Sequence, residues 1–120
     1  MRFWLKKKVL LLTPVQARLR VIGKLEGEIK HFKREIDQIE LRLQRAEASV
    51  RDYARSKARS SQPERWDPGI SAEQEIILGF HSRIAEHCEV IEKRRRRVLD
   101  LYDEIDLIRY SANRREPEKV

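Results

Sequence analysis

Two runs of apolar residues, each recurring alternately at three and four positions, constrain this chain more than any other feature. In the first run the a positions are Val15, Ile22, Ile29, Ile36, Leu43 and Val50, and the d positions are Arg18, Leu25, Phe32, Ile39, Ala46 and Tyr53. In the second the a positions are Ile77, Ile84, Ile91, Val98, Ile105 and Ala112, and the d positions are Phe80, His87, Arg94, Leu101 and Ile108. A 3,4 spacing held over this length means a long helix with one apolar seam. Pro63, Pro68 and Gly69 fall between the runs and interrupt a single continuous helix. The connection is short beside the helices, so antiparallel return is the least costly geometry. The expected fold is all-α: a long antiparallel two-helix coiled-coil hairpin, with the capacity to dimerise into a four-helix bundle.

Helix-start signals set the expected boundaries. Thr13-Pro14-Val15-Gln16 and Ser71-Ala72-Glu73-Gln74 both read as capping boxes. They predict a helix over 13–58, a loop over 59–71 containing Asp67-Pro68-Gly69 turn chemistry, and a helix over 72–113. Residues 1–12 are then a basic and apolar N-terminal arm, and residues 114–120 a flexible tail. With the turn centred near Arg65, every layer sets an a residue against a d residue of the other helix, as antiparallel pairing requires. Tyr53 then meets Ile77, Leu25 meets Ile105 and Arg18 meets Ala112. Two layers are polar, Leu43 with His87 and Ile36 with Arg94. In that register Arg94 reaches Asp37 or Glu40 over Ile36, and Glu35 and Arg97 share a flank.

Composition narrows the function. Charged residues make up 39% of the chain and aromatic residues 7%, as in long helices. The formal charge of +7 and pI near 9.9 favour acidic partners: nucleic acid, an anionic membrane surface or an acidic protein face. Cys88 is the lone cysteine, which excludes an intrachain disulfide and a cysteine-based zinc site and points to the cytoplasm. No nucleophile–base pattern, phosphate-cradling glycine loop or His-Glu-x-x-His is present. The chain therefore reads as non-enzymatic, with no cofactor, no metal and no small-molecule substrate.

Binding is the remaining class, and three surfaces qualify. Leu99, Tyr102, Leu107 and Tyr110 lie outside the seam of the second helix, and Trp66 lies at the hairpin tip. Apolar and aromatic residues placed there suit another protein or a second copy of the chain. This is the leading reading: a coiled-coil adaptor or assembly component of a larger complex, stalk- or scaffold-like. In outline such a hairpin is similar to the small coiled-coil stalk proteins of bacterial flagellar and type III export, which engage an ATPase ring. That similarity is one of architecture and carries no residue across.

The second surface is basic. Arg94, Arg95, Arg96 and Arg97, with Arg51, Arg55, Lys57 and Arg59 near the tip, suit phosphate contacts that are sequence-blind and sensitive to salt. Aromatic residues do not interleave this run, so base stacking has no platform. The third is the N-terminal arm. Phe3 and Trp4 beside Lys6, Lys7 and Lys8 suit a peripheral membrane contact. The apolar run at residues 9–12 is far too short to cross a bilayer.

Overall fold

The computed structural model describes the backbone of residues 2–115 and the side chains of residues 13–113. It is an antiparallel two-helix hairpin: α1 (Arg2–Arg59), a 3-10 turn (Pro63–Trp66) and α2 (Asp67–Arg115). Its contacts divide the chain into two compact units. The base unit comprises Met1–Lys30 with Ile91–Val120, and the tip unit comprises His31–Val90.

The heptad reading of the seam holds throughout. Every buried hydrophobic residue among those described occupies an a or d position. In the base unit these are Val15, Ile22, Ile29, Ile91, Leu101 and Ile105, and in the tip unit Ile39 and Ala46. The base core joins Val15, Ile22, Leu101 and Ile105, with Leu25, Val98 and Ile108 packed against it. Ile105 is the deepest, at 2% exposure. In the tip unit Phe32, Ile36, Leu43, Val50 and Tyr53 of α1 are only half-buried, and the small side chain of Ala46 takes one seam position. Alanine supplies less apolar area than the branched residues of the base.

The register differs from the expected one. Arg18 lies against Glu104, Glu28 against Arg94, and Glu35 against His87. The ring of Tyr53 lies 3.7 Å from the Cβ position of Gly69. These contacts place α2 one heptad away from the pairing that set Arg18 against Ala112 and Tyr53 against Ile77. A slip of a whole heptad keeps a against d in every layer, so the apolar pattern alone does not forbid it. In the observed register Ile22 is level with Leu101, Leu25 with Val98, and Val15 with Ile108. These are members of the base core. Arg94 accordingly reaches neither Asp37 nor Glu40.

The cause of the slip is the turn, which is tighter than the expected loop 59–71. Ser60 N–H donates to the Lys57 carbonyl, Gln62 N–H to Ser60 Oγ, and Arg65 N–H to the Gln62 carbonyl. The α2 helix starts at Asp67 rather than residue 72. Asp67-Pro68-Gly69 is therefore a helix start and not a turn. Proline in a first helical turn loses no hydrogen bond, and Asp67 favours the positive end of the helix dipole. Lys57 Nζ donates to Asp67 Oδ1 at 2.6 Å and ties the end of α1 to the beginning of α2.

The other boundary also moves. Residues 2–12 are the opening turns of α1, not a separate arm, and Pro14 lies inside the helix. Thr13 is consequently not an N-cap. Arg18 Nη1 donates to the Pro14 carbonyl at 3.1 Å, so the same side chain that crosses to Glu104 also steadies the turn after the proline. The expected tail 114–120 is shortened by the helical backbone through Arg115; residues 116–120 lie outside the described residues.

Two outcomes check this arrangement. In a Cys88→Ser background, Leu25→Cys with Val98→Cys oxidises to an intrachain disulfide, whereas Leu25→Cys with Ile105→Cys does not; mobility on non-reducing gels reads the difference. Ile105→Ala destabilises the fold by about 2–4 kcal/mol in chemical denaturation. Leu99→Ala stays within about 0.5 kcal/mol, because Leu99 is exposed.

Candidate functional site

Three polar residues stand in the apolar seam, and each is met by a glutamate of the opposite helix at a g position. Arg94 Nε donates to Glu28 Oε2 at 2.6 Å, with both side chains about one-third exposed. Arg18 Nε donates to Glu104 Oε2 at 3.1 Å. His87 Nε2 lies 2.9 Å from Glu35 Oε2 without an aligned hydrogen bond, and the two form an ion pair only where the imidazole is protonated. Seam cations are tolerable only with such partners, since burying a lone charge is costly. The Arg94 hydrogen bond, aided by the charges of Arg94 and Lys24, holds the Glu28 carboxyl below its ordinary range despite some desolvation.

His87 belongs to a small cluster in the tip unit that sequence reading missed. Glu35 also receives His31, with His31 Nε2 3.1 Å from its Oε1. The Phe32 ring stands edge-on to both imidazoles, at centroid distances of 5.6 Å from His31 and 5.3 Å from His87. The i,i+4 spacing of His31 and Glu35 was a legible signal. The correct register was needed to add His87. Among the described residues, no group of three or more His, Cys, Asp or Glu side chains is placed to hold a metal ion.

The arginine run is largely engaged within the chain. Beyond the Arg94–Glu28 pair, Arg96 Nε donates to Glu92 Oε1 at 3.3 Å, and Arg97 Nη1 comes within 4.0 Å of Glu104 Oε1. Arg95 is exposed and has no such partner among the described residues. The five successive cations Lys93 to Arg97 on a helix face all directions, and glutamates of both helices take up Arg94, Arg96 and Arg97.

Leu99, Tyr102, Leu107 and Tyr110 are all exposed, Leu99 at 64% and Leu107 at 66%. They occupy b, e, c and f positions of α2 in the base unit, outside the seam, with Tyr102 at its flank. Asp103 and Asp106 lie among them on the same face. Helical periodicity therefore gathers four separated apolar residues into one broad strip. Trp66 is different. It is half-buried at the tip, its ring 6.1 Å from that of Tyr53, and covers the end of the seam there. Phe3, Trp4, Lys6, Lys7 and Lys8 lie outside the residues whose side chains are described. Among the described residues no helix is long and apolar enough to cross a membrane.

Comparison with protein-family models, curated proteins and solved structures finds no match to this chain. The exposed strip and the seam charges are thus read from their own chemistry.

The Glu28–Arg94 pair gives a pH signature. A carboxyl whose folded value is depressed stabilises the fold above its unfolded value, near 4.3, and that contribution is lost as pH falls through the folded value. Glu28→Gln is expected to flatten the acid limb of the stability profile below about pH 4.5 and to leave its neutral-to-alkaline shape unchanged, as read by thermal melts across pH.

Proposed function

We propose that this protein is a non-enzymatic interaction module, a cytoplasmic coiled-coil adaptor whose seam builds the hairpin and whose outer α2 face binds protein. One observation carries the reading: Leu99, Tyr102, Leu107 and Tyr110 are exposed together on one side of α2. Contiguous apolar surface on a soluble domain marks an interaction site. Tyrosine is also among the residues that contribute most at protein interfaces. Asp103 and Asp106 interleave with these side chains and keep the face hydrated when it is uncovered. The exposed, free Cys88 suits a reducing compartment.

The nucleic-acid alternative draws less support. A phosphate reaching Arg94, Arg96 or Arg97 competes with Glu28, Glu92 and Glu104. What remains outward is Arg95 and the exposed tip cations Arg51, Arg55 and Arg59. Binding through them is electrostatic and collapses with salt, whereas binding through the α2 strip persists.

The tagged full chain, recovered from its native lysate with and without nuclease, separates the two. The expected result is a defined protein partner that survives nuclease and moderate salt, and whose recovery falls at least about tenfold with Leu99→Ala plus Leu107→Ala. Partners that disappear with nuclease, or that ignore the double substitution, overturn the reading.

A further inference from the structure

The two edges of the base unit are not alike. In an antiparallel pair the g positions of both helices meet along one edge and the e positions along the other. On the g edge Glu28 takes Arg94, and Glu104 takes Arg18. The e edge is lined by e and b positions of both helices. On α2 these are Glu92, Arg95, Leu99, Tyr102, Asp106 and Arg109, spaced alternately by three and four, and all are exposed. On α1 they include Gln16, Leu19, Gly23 and Glu26, also exposed. Leu19 is 42% exposed, Tyr102 43% and Leu99 64%, so both helices contribute to one apolar patch. Arg95, Asp106 and Arg109 have no hydrogen bond or ion pair among the described residues.

The α2 row is its own complement when read backwards. Turned end for end about a point between Asp100 and Leu101, it sets Leu99 against Tyr102, Arg95 against Asp106 and Glu92 against Arg109. Apolar residues then meet apolar ones, and each charge meets its opposite. Glu92 Oε1 already accepts from Arg96, so Arg95 with Asp106 is the pair that carries the charge argument. The α1 row behaves likewise. Turned about Val21, it sets Leu19 against Gly23 and Gln16 against Glu26. A Cβ added at Gly23 would meet nothing within 4 Å, so that position is open to a leucine from outside the chain. Ile22 and Leu101 stand level in the base core, so the two turning points share one height to within about a residue, ~1.5 Å. One two-fold axis therefore serves both rows.

We propose that the e edge of the base unit packs on the same edge of a second copy, in an antiparallel two-fold dimer. This rests on the protein-interaction reading above and names the partner of Leu99 and Tyr102. Leu107, at a c position, lies toward the other edge. The two-fold axis lies between the copies and across the helices, so α2 packs on α2 and α1 on α1. The whole contact is on one side of each hairpin, and every pairing in it is made twice. Leu19, Leu99 and Tyr102 supply the buried apolar area, and Leu19 enters the opening at the second copy's Gly23. The charges fix the alignment: a slip of one heptad sets Leu99 against Arg109 in one direction and against Arg95 in the other.

Sedimentation equilibrium of the full chain under reducing conditions tests this. The wild-type chain is expected at twice its 14.4 kDa. Arg95→Asp and, separately, Asp106→Arg are each expected to weaken dimerisation about tenfold or more with unchanged helicity, since like charges then oppose at both symmetric contacts. An equimolar mixture of the two variants restores the dimer, and so does Arg95→Asp with Asp106→Arg in one chain, because opposite charges meet again. Gly23→Gln fills the opening that Leu19 enters and also weakens the dimer, whereas Leu107→Lys leaves it intact. A wild-type chain that stays at 14.4 kDa, a dimer indifferent to the single reversals, a mixture that stays monomeric, or a dimer lost with Leu107→Lys overturns the proposal. A monomeric chain that still captures a nuclease-resistant partner through Leu99 and Leu107 overturns the dimer alone and leaves the interaction reading standing.

Discussion

The seam depends on where three polar residues find their counter-charges. Apolar heptads align two helices but repeat every seven residues, so they leave the pairing undetermined by whole heptads. Arg18, His87 and Arg94 break the tie. Each sits at a d position, and each is met from the opposite g position, by Glu104, Glu35 and Glu28 respectively. One heptad in one direction would bring Arg18 to Ser111 and His87 to Arg42; one heptad in the other would bring Arg18 to Arg97 and Arg94 to Val21. Only the observed register gives all three a carboxylate. The pairs are partly exposed and individually modest, and their effect lies in the difference between registers rather than in the total stability.

The same charges separate inward from outward business. Glutamates at g positions are consumed by the seam and by the arginine run. Asp100, Asp103 and Asp106 of α2 and Arg20 of α1 stand further round their helices, outside that pairing. The base unit therefore has two layers of electrostatics, one that fixes the hairpin and one that is turned outward among apolar side chains. The tip unit, with Ala46 and its small neighbours in α1, relies more on local closure: Tyr53 against Trp66 and Gly69, and Lys57 on Asp67.

Much of this was legible in the sequence. The a and d positions, the antiparallel hairpin and the exposure of Leu99, Tyr102, Leu107 and Tyr110 follow from periodicity, which is a property of one helix at a time. The register did not follow, because it was inferred from a loop length and the loop was misread. Thr13-Pro14 and Ser71-Ala72-Glu73 satisfy the chemistry of helix starts, yet both lie inside helices that begin further upstream. A capping pattern signals a start only where packing does not carry the helix through it, and the seam residues beyond each box supply that packing. Asking which register gives Arg18, His87 and Arg94 a glutamate would have recovered the pairing, and with it the His31–Glu35–His87 cluster.

The near-equivalence of neighbouring registers bears on how the chain reaches its structure. A hairpin closed one heptad away buries much the same apolar surface, so early collapse does not distinguish it from the native one. Escape from such a trap means unzipping rather than sliding, because side chains interlock layer by layer. The tight turn at Ser60–Asp67 narrows this choice, because it fixes which residues stand opposite one another. It sets Tyr53 against Gly69 and Lys57 against Asp67, and the register that continues from there is the one in which each polar seam residue meets its glutamate. The turn at one end and the polar seam residues along the length thus specify the same register.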